Sequence, residues 1–169
     1  MDLFIPTNAL VILIGPAGCG KTTFALTHFL TSQVVSSAQC RELVSDERYS
    51  RDCEGPANSL LRRIVAARLS LKRLTVADAT NIRPIPRQKL LRLARSYRAP
   101  ALGVIFEASL PTCLQRNAQR EHHEPEATIE RQWRELDCLG EQLTQEPFNV
   151  LYHLVEGDEP HVRLVMARM

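Results

Sequence analysis

Gly15-Pro16-Ala17-Gly18-Cys19-Gly20-Lys21-Thr22 follows directly on the apolar run Ala9 to Ile14. It leads into Thr23 to Leu30, where Phe24, Leu26, Phe29 and Leu30 recur at helical spacing and form the expected packing face. The octet satisfies G-x-x-x-x-G-K-[ST] between an expected strand and an expected helix, the context in which that pattern cradles phosphate. With 7 Gly, 3 Lys and 19 Ser plus Thr in the chain, chance occurrence at this spacing is on the order of one in two thousand. Glycines let successive backbone N–H groups curl around phosphate oxygens, and the helix N-terminus adds partial positive charge. Gly15, Pro16, Ala17, Gly18, Cys19, Gly20, Lys21, Thr22 and Thr23 are therefore the expected site for ATP or another nucleoside triphosphate. Lys21 is expected at the outer phosphates and the Thr22 hydroxyl on Mg²⁺.

Outward from this stretch, short apolar runs alternate with helical patterns. Gln33 to Val35, Leu74 to Ala77, Ala101 to Phe106 and Val150 to Leu154 read as strands, and His161 to Met169 as a last element. Asn58 to Leu71, Gln88 to Tyr97, Leu110 to Gln119 and Ile129 to Leu143 read as helices. Arg41 to Ala57 looks polar and irregular, and Pro84 and Pro86 argue against regular structure before Gln88. Strands separated by helices of this length imply right-handed crossovers and a parallel sheet covered on both faces. The expected fold is α/β: a central parallel sheet of about five strands flanked by helices, in one domain over residues 1–169.

The 169 residues carry a formal net charge of +2, with 44% hydrophobic and 24% charged residues. That composition excludes disordered, collagen-like and coiled-coil classes. The longest aliphatic stretch is far short of the ~20 residues that span a bilayer, and the N-terminus lacks a signal layout, so a cytoplasmic protein is expected. Five cysteines without a C-x-x-C pair argue for free thiols. Basic residues cluster from Arg62 to Arg98 and acids from Glu121 to Glu146. Arg83, Arg87, Lys89, Arg92 and Arg95 stand in that basic run, whose charge suits phosphate contacts with a phosphate-rich ligand.

Past the loop stand Ser36-Ser37-Ala38-Gln39-Cys40-Arg41, Leu43-Val44-Ser45-Asp46-Glu47, Thr75-Val76-Ala77-Asp78-Ala79-Thr80-Asn81, and Cys113-Leu114-Gln115-Arg116-Asn117 with Arg120. In order and spacing, from Ile12 to about Trp133, these runs resemble the kinase module of bacterial polynucleotide kinase-phosphatase end-healing enzymes. The resemblance implies a P-loop phosphotransferase with a helical lid, moving the γ-phosphate of ATP to the 5′-hydroxyl end of RNA or DNA. It leaves two forms open, a whole protein or a module cut from a longer polypeptide with phosphatase and ligase modules. Arg41 then matches the residue that grips the acceptor's terminal phosphate, and Arg116 matches the lid arginine that neutralises charge on the transferred group, with Arg120 one turn later. Asp78 matches an acid that holds a metal-bound water.

One position departs from the family pattern. Ala38 stands where the resemblance implies the general-base aspartate, and a methyl group neither accepts a proton nor orients a hydroxyl. Three accounts stay open: an engineered alanine, a degenerate kinase that keeps ATP binding, or a base relocated to Asp46 or another nearby acid. Glu121-His122-His123-Glu124 reads as a polar lid loop rather than a metal site, and Trp133 as a packing residue. The competing functions are a small-molecule P-loop kinase and a non-catalytic nucleotide-binding module.

Overall fold

A computed structural model describes residues 1–158 and 161–167. The elements run β1 Asp2–Pro6, β2 Leu10–Ile14, α1 Lys21–His28, β3 Val34–Ser36, α2 Ser37–Ser45, α3 Glu54–Ser70 and β4 Thr75–Asp78. They continue α4 Pro84–Ser96, β5 Ala101–Glu107, α5 Leu110–Ala118, α6 Glu126–Asp137, α7 Gly140–Gln145, β6 Val150–Val155 and β7 Arg163–Ala167. Five strands in the order β3-β4-β2-β5-β6 form one sheet, every neighbouring pair parallel. This is the five-strand parallel α/β architecture that the alternation of runs implied.

The central strand shows why. All five residues of β2 are fully buried because both faces are covered. Val11 and Leu13 join the cluster of Phe24, Val104 and Phe106 on one face. Leu10, Ile12 and Ile14 join Leu61, Val65 and Leu90 on the other. An unbroken apolar run is the signature of such a strand, and each large side chain so buried contributes roughly 1.5–3 kcal/mol. Because all five strands point the same way, their C-terminal ends share one edge, where loops after the strands meet. Register places Ser36 of β3 beside Asp78 of β4 on that edge.

Several elements differ from the sequence reading. The stretch that reads as irregular holds the second half of α2, with Arg41, and α3 starts at Glu54 rather than Asn58. Helix α2 escapes the pattern because Cys40 is its only buried residue. Gly55 and Pro56 sit in the first turn of α3, and Pro84 and Pro86 in the first turn of α4. There the missing N–H has no intrahelical partner to lose. The single helix expected over Ile129 to Leu143 is two, α6 and α7, broken at Cys138 and Leu139. Leu26 and Leu30 are exposed, so only Phe24 and Phe29 of the expected face pack. Asp2–Pro6 forms β1 and pairs in parallel with β7 as a separate two-stranded sheet. Of the last expected element, Arg168 and Met169 lie outside the described residues. Among the described residues no helix is long and apolar enough to cross a membrane.

Candidate functional site

The octet forms a tight turn between β2 and α1. Gly18 and Gly20 hold φ of 85° and 101°, a region closed to most side chains, and Gly20 is the N-cap of α1. A Cβ on Gly18 would run into the Cys113 carbonyl oxygen, so α5 packs directly on the loop. The ammonium of Lys21, nearly buried, donates to the Pro16 carbonyl at 2.6 Å and to the Cys19 Sγ at 3.3 Å. Lys21 thus curls back along the loop it belongs to.

Asp78 ends β4 alongside this turn. It is 4% exposed, and its Oδ2 accepts from the Thr22 hydroxyl at 2.9 Å. The two residues expected at the metal are therefore brought together. A hydroxyl and a carboxylate are hard oxygen ligands of the kind Mg²⁺ takes when phosphates and water complete its shell, so the pair fits that ion. The following residues anchor the arrangement. Gly15 N donates to the Thr80 carbonyl at 3.0 Å, and the buried Asn81 amide donates to the Leu13 carbonyl at 2.8 Å.

Beside the phosphate turn lies a groove of about 460 Å³, walled by α2, α3, the start of α4 and α6. Ser37 and Arg41 of α2 line it. Arg41 donates from Nε to the Arg48 carbonyl at 3.0 Å, while its Nη groups take no protein partner among the described residues. Glu42, a local candidate to neutralise it, pairs instead with Arg48 at 2.8 Å. Ala38 is half-buried in the first turn of α2, and its methyl is not part of the groove wall. Asp46 is exposed and closes α2 as a left-handed C-cap with φ 59°; it does not line the groove either.

Helices α5 and α6 and their connection pack against these parts. In α5, Arg116 donates from Nη1 to the Cys19 carbonyl at 3.3 Å, placing its charge on the phosphate turn. Helix α5 ends at Ala118, so Arg120 falls in the exposed turn beyond it rather than one helical turn along the same face. Its side chain makes no hydrogen bond or ion pair among the described residues. The buried Asn117 holds the Glu124 backbone from both sides at 2.9 Å. The expected lid loop crosses to the α2–α3 connection through an Arg51–Glu124 ion pair and a Tyr49–His122 ring contact at 4.4 Å. No group of three or more His, Cys, Asp or Glu suited to a metal occurs among the described residues. Trp133 is half-buried and donates to the Ala108 carbonyl at 3.0 Å, in keeping with a packing role.

The sequence reading missed Gln132. From α6 its Oε1 accepts the Ala17 N–H at 2.8 Å, and the same residue lines the groove. It belongs to no motif, and only the fold shows that it touches both regions. A carboxylate there would set a like charge beside bound phosphates. Gln132→Glu is expected to weaken ATP binding at least ~10-fold, about 1.4 kcal/mol, measured by titration calorimetry, with Gln132→Ala close to the parent.

The clustered thiols respond to the same packing. Burial, with the neighbouring Cys19 thiol adding to it, pushes the Cys113 thiol up to about 11, although the Lys21 ammonium and Arg116 guanidinium act the other way. Burial also raises the Cys40 thiol. Four cysteines are buried and Cys138 is exposed. Only Cys138 should therefore be alkylated by iodoacetamide in the folded protein at pH 8, as mass spectrometry of the digest would show.

Residues 10–139 match the model of the family described as AAA domain. No curated protein matches the sequence. Among solved structures, the fold resembles a component of the Pnkp1/Rnl/Hen1 RNA repair complex with a TM-score of 0.68 at 24% identity. That alignment covers 82% of this chain but only 46% of the other. It also resembles a gluconokinase from Sinorhizobium meliloti, with a TM-score of 0.55 at 13% identity over 90% of this chain and 85% of that one. The APS kinase of Mycobacterium tuberculosis, solved with AMPPNP and APS, gives a TM-score of 0.53 at 15% identity over 90% of each chain. A parallel five-stranded sheet with the phosphate turn after its central strand, and a family model spanning that sheet's first four strands, together lead to one assignment: the chain belongs to the AAA domain family and has a P-loop kinase-like fold.

Proposed function

We propose that this chain is a P-loop phosphotransferase that uses ATP or another nucleoside triphosphate to phosphorylate the 5′-hydroxyl end of RNA or DNA. The observation that carries the reading is Arg41: a guanidinium whose Nη groups have no protein partner among the described residues, in an arginine-lined groove beside the phosphate turn. A planar fork of this kind binds two oxygens of a phosphate at once. Backbone N–H groups of Gly18, Gly20, Lys21, Thr22 and Thr23 hold the nucleotide phosphates, joined by the Lys21 ammonium once it leaves the Pro16 carbonyl. Thr22 and Asp78 would hold Mg²⁺, which supplies charge neutralisation at the transferred phosphate. Arg116, tied to the Cys19 carbonyl, stabilises negative charge as the phosphoryl group moves. Arg120, in the exposed turn after α5, joins the phosphates only in a more closed lid. The acceptor hydroxyl is left without a base at Ala38.

Residues 1–169 are read as one kinase domain of a longer cytoplasmic end-healing protein with phosphatase and ligase modules; the partial coverage of the RNA repair component is in keeping with this. A second reading is a small-molecule kinase, favoured by a groove whose volume suits a single small ligand. Transfer of label from γ-labelled ATP decides between them, with the Ala38 chain and Ala38→Asp assayed side by side. Label on a 5′-hydroxyl oligonucleotide supports the first reading. Label only on gluconate or other small alcohols supports the second, and nucleotide binding with no transfer by either chain leaves a non-catalytic module.

A further inference from the structure

The charged residues of the groove are not evenly matched. Five arginines line it, Arg41, Arg51, Arg62, Arg83 and Arg131, against three glutamates. Those glutamates are engaged: Glu124 with Arg51, Glu54 with the same arginine at 4.0 Å, and Glu135 with Arg131 at 3.7 Å. Arg62 on α3 and Arg83 at the N-cap of α4 make no ion pair or side-chain hydrogen bond among the described residues. They stand on different walls of one groove, with Arg41 on a third. Such guanidiniums are poised for anions that arrive with the ligand, and three of them on three walls suit a ligand that carries more than one phosphate.

We infer that Arg62 and Arg83 form a phosphate track that takes the second and third phosphates of a single-stranded polynucleotide, making the acceptor an oligonucleotide rather than a mononucleotide. This rests on the polynucleotide reading above. It assigns Arg62 and Arg83 to acceptor length and leaves Arg41 for the phosphate next to the reacting end. A mononucleotide with a 3′-phosphate would engage Arg41 alone and be indifferent to the other two.

The experiment measures binding of a fluorescent 5′-hydroxyl hexanucleotide by anisotropy at several salt concentrations, with nucleoside 3′-monophosphate as competitor. The chains compared are the parent, Arg62→Ala/Arg83→Ala, and Arg95→Ala as a surface control, Arg95 being exposed on α4 away from the groove. Each single-stranded phosphate contact contributes about 0.7 to the salt slope, so the double variant should lose about 1.4 of it and bind at least ~10-fold more weakly. The mononucleotide should compete as well as before, and Arg95→Ala should behave as the parent. An unchanged slope, an equal loss for the mononucleotide, or the same loss in Arg95→Ala overturns the track. The same substitutions in Ala38→Asp separate the two levels. Transfer to the hexanucleotide with an unaltered KM sinks the track alone, whereas no transfer to any oligonucleotide and no binding of one sinks the polynucleotide reading and the track together. The Arg62 and Arg83 side chains make no hydrogen bond or ion pair among the described residues, so the variants should keep the parent's circular dichroism and melting profile.

Discussion

Replacing Arg87 with alanine should destabilise the protein by about 3–5 kcal/mol, the range for removing one partner of a buried ion pair. Arg87 is fully buried, and four bonds hold it. Its Nε and Nη2 donate to the two carboxylate oxygens of Glu146 at 2.6 Å each. Nη1 donates to the Asn81 and Ile82 carbonyls at 2.8 and 2.6 Å. Glu146, just past α7, is itself almost enclosed, so the alanine variant leaves a carboxylate and two carbonyls without their donor. Set against a typical total of about 5–15 kcal/mol, that loss takes a large share of stability. Urea unfolding followed by circular dichroism should show a markedly lower midpoint with little change in slope. Arg87→Met combined with Glu146→Leu should recover most of the loss, because two apolar groups of similar bulk leave no orphaned charge. A single variant within 1 kcal/mol of the parent would contradict the structural role.

Arg87 also marks where sequence and structure part. In the chain it stands among Arg83, Lys89, Arg92 and Arg95, and it reads as another phosphate contact. Only Arg83 of that run lines the groove, while Arg87 is a buried strut beneath the groove wall. Charge runs do not reveal which arginine finds a buried carboxylate 59 residues away. Local chemistry was more informative elsewhere. The phosphate turn needs glycine at Gly18 and Gly20 for backbone reasons alone, and β2 needs apolar residues on both faces, so both could be read directly. The prolines at Pro84 and Pro86 misled because proline breaks a helix interior yet suits its first turn. Helix α2 was hidden by having one buried residue, although it carries the residue on which the acceptor reading turns.

The lid is coupled to both halves of the site through contacts that no motif records. Gln132 touches the phosphate turn while its neighbour Arg131 lines the groove, and Glu124 and His122 tie the lid loop to the α2–α3 connection. An acceptor phosphate reaching Arg51 would compete with Glu124 for the same guanidinium.

The largest expected gain comes from Ala38→Asp, which should raise transfer to a 5′-hydroxyl oligonucleotide by about 10²- to 10⁴-fold, the usual contribution of a positioned general base. The substitution suits its place. Ala38 lies in the first turn of α2, which carries no acidic residue, and a carboxylate there is favoured by the helix dipole. It would also sit three residues before Arg41 on the same helix face. The gain should fall in kcat, with ATP affinity within ~2-fold of the parent, because the phosphate turn is untouched. It should fade as pH drops through the carboxylate's titration, near ~4 for an unperturbed aspartate, since the protonated acid cannot take the hydroxyl proton. Ala38→Asn is the decisive control, offering hydrogen bonds of similar shape and no basicity. If asparagine matched aspartate, position 38 would act by orientation alone. If neither raised the rate on oligonucleotides, the missing base would have to be sought elsewhere and the 5′-hydroxyl kinase reading would lose its chemical centre.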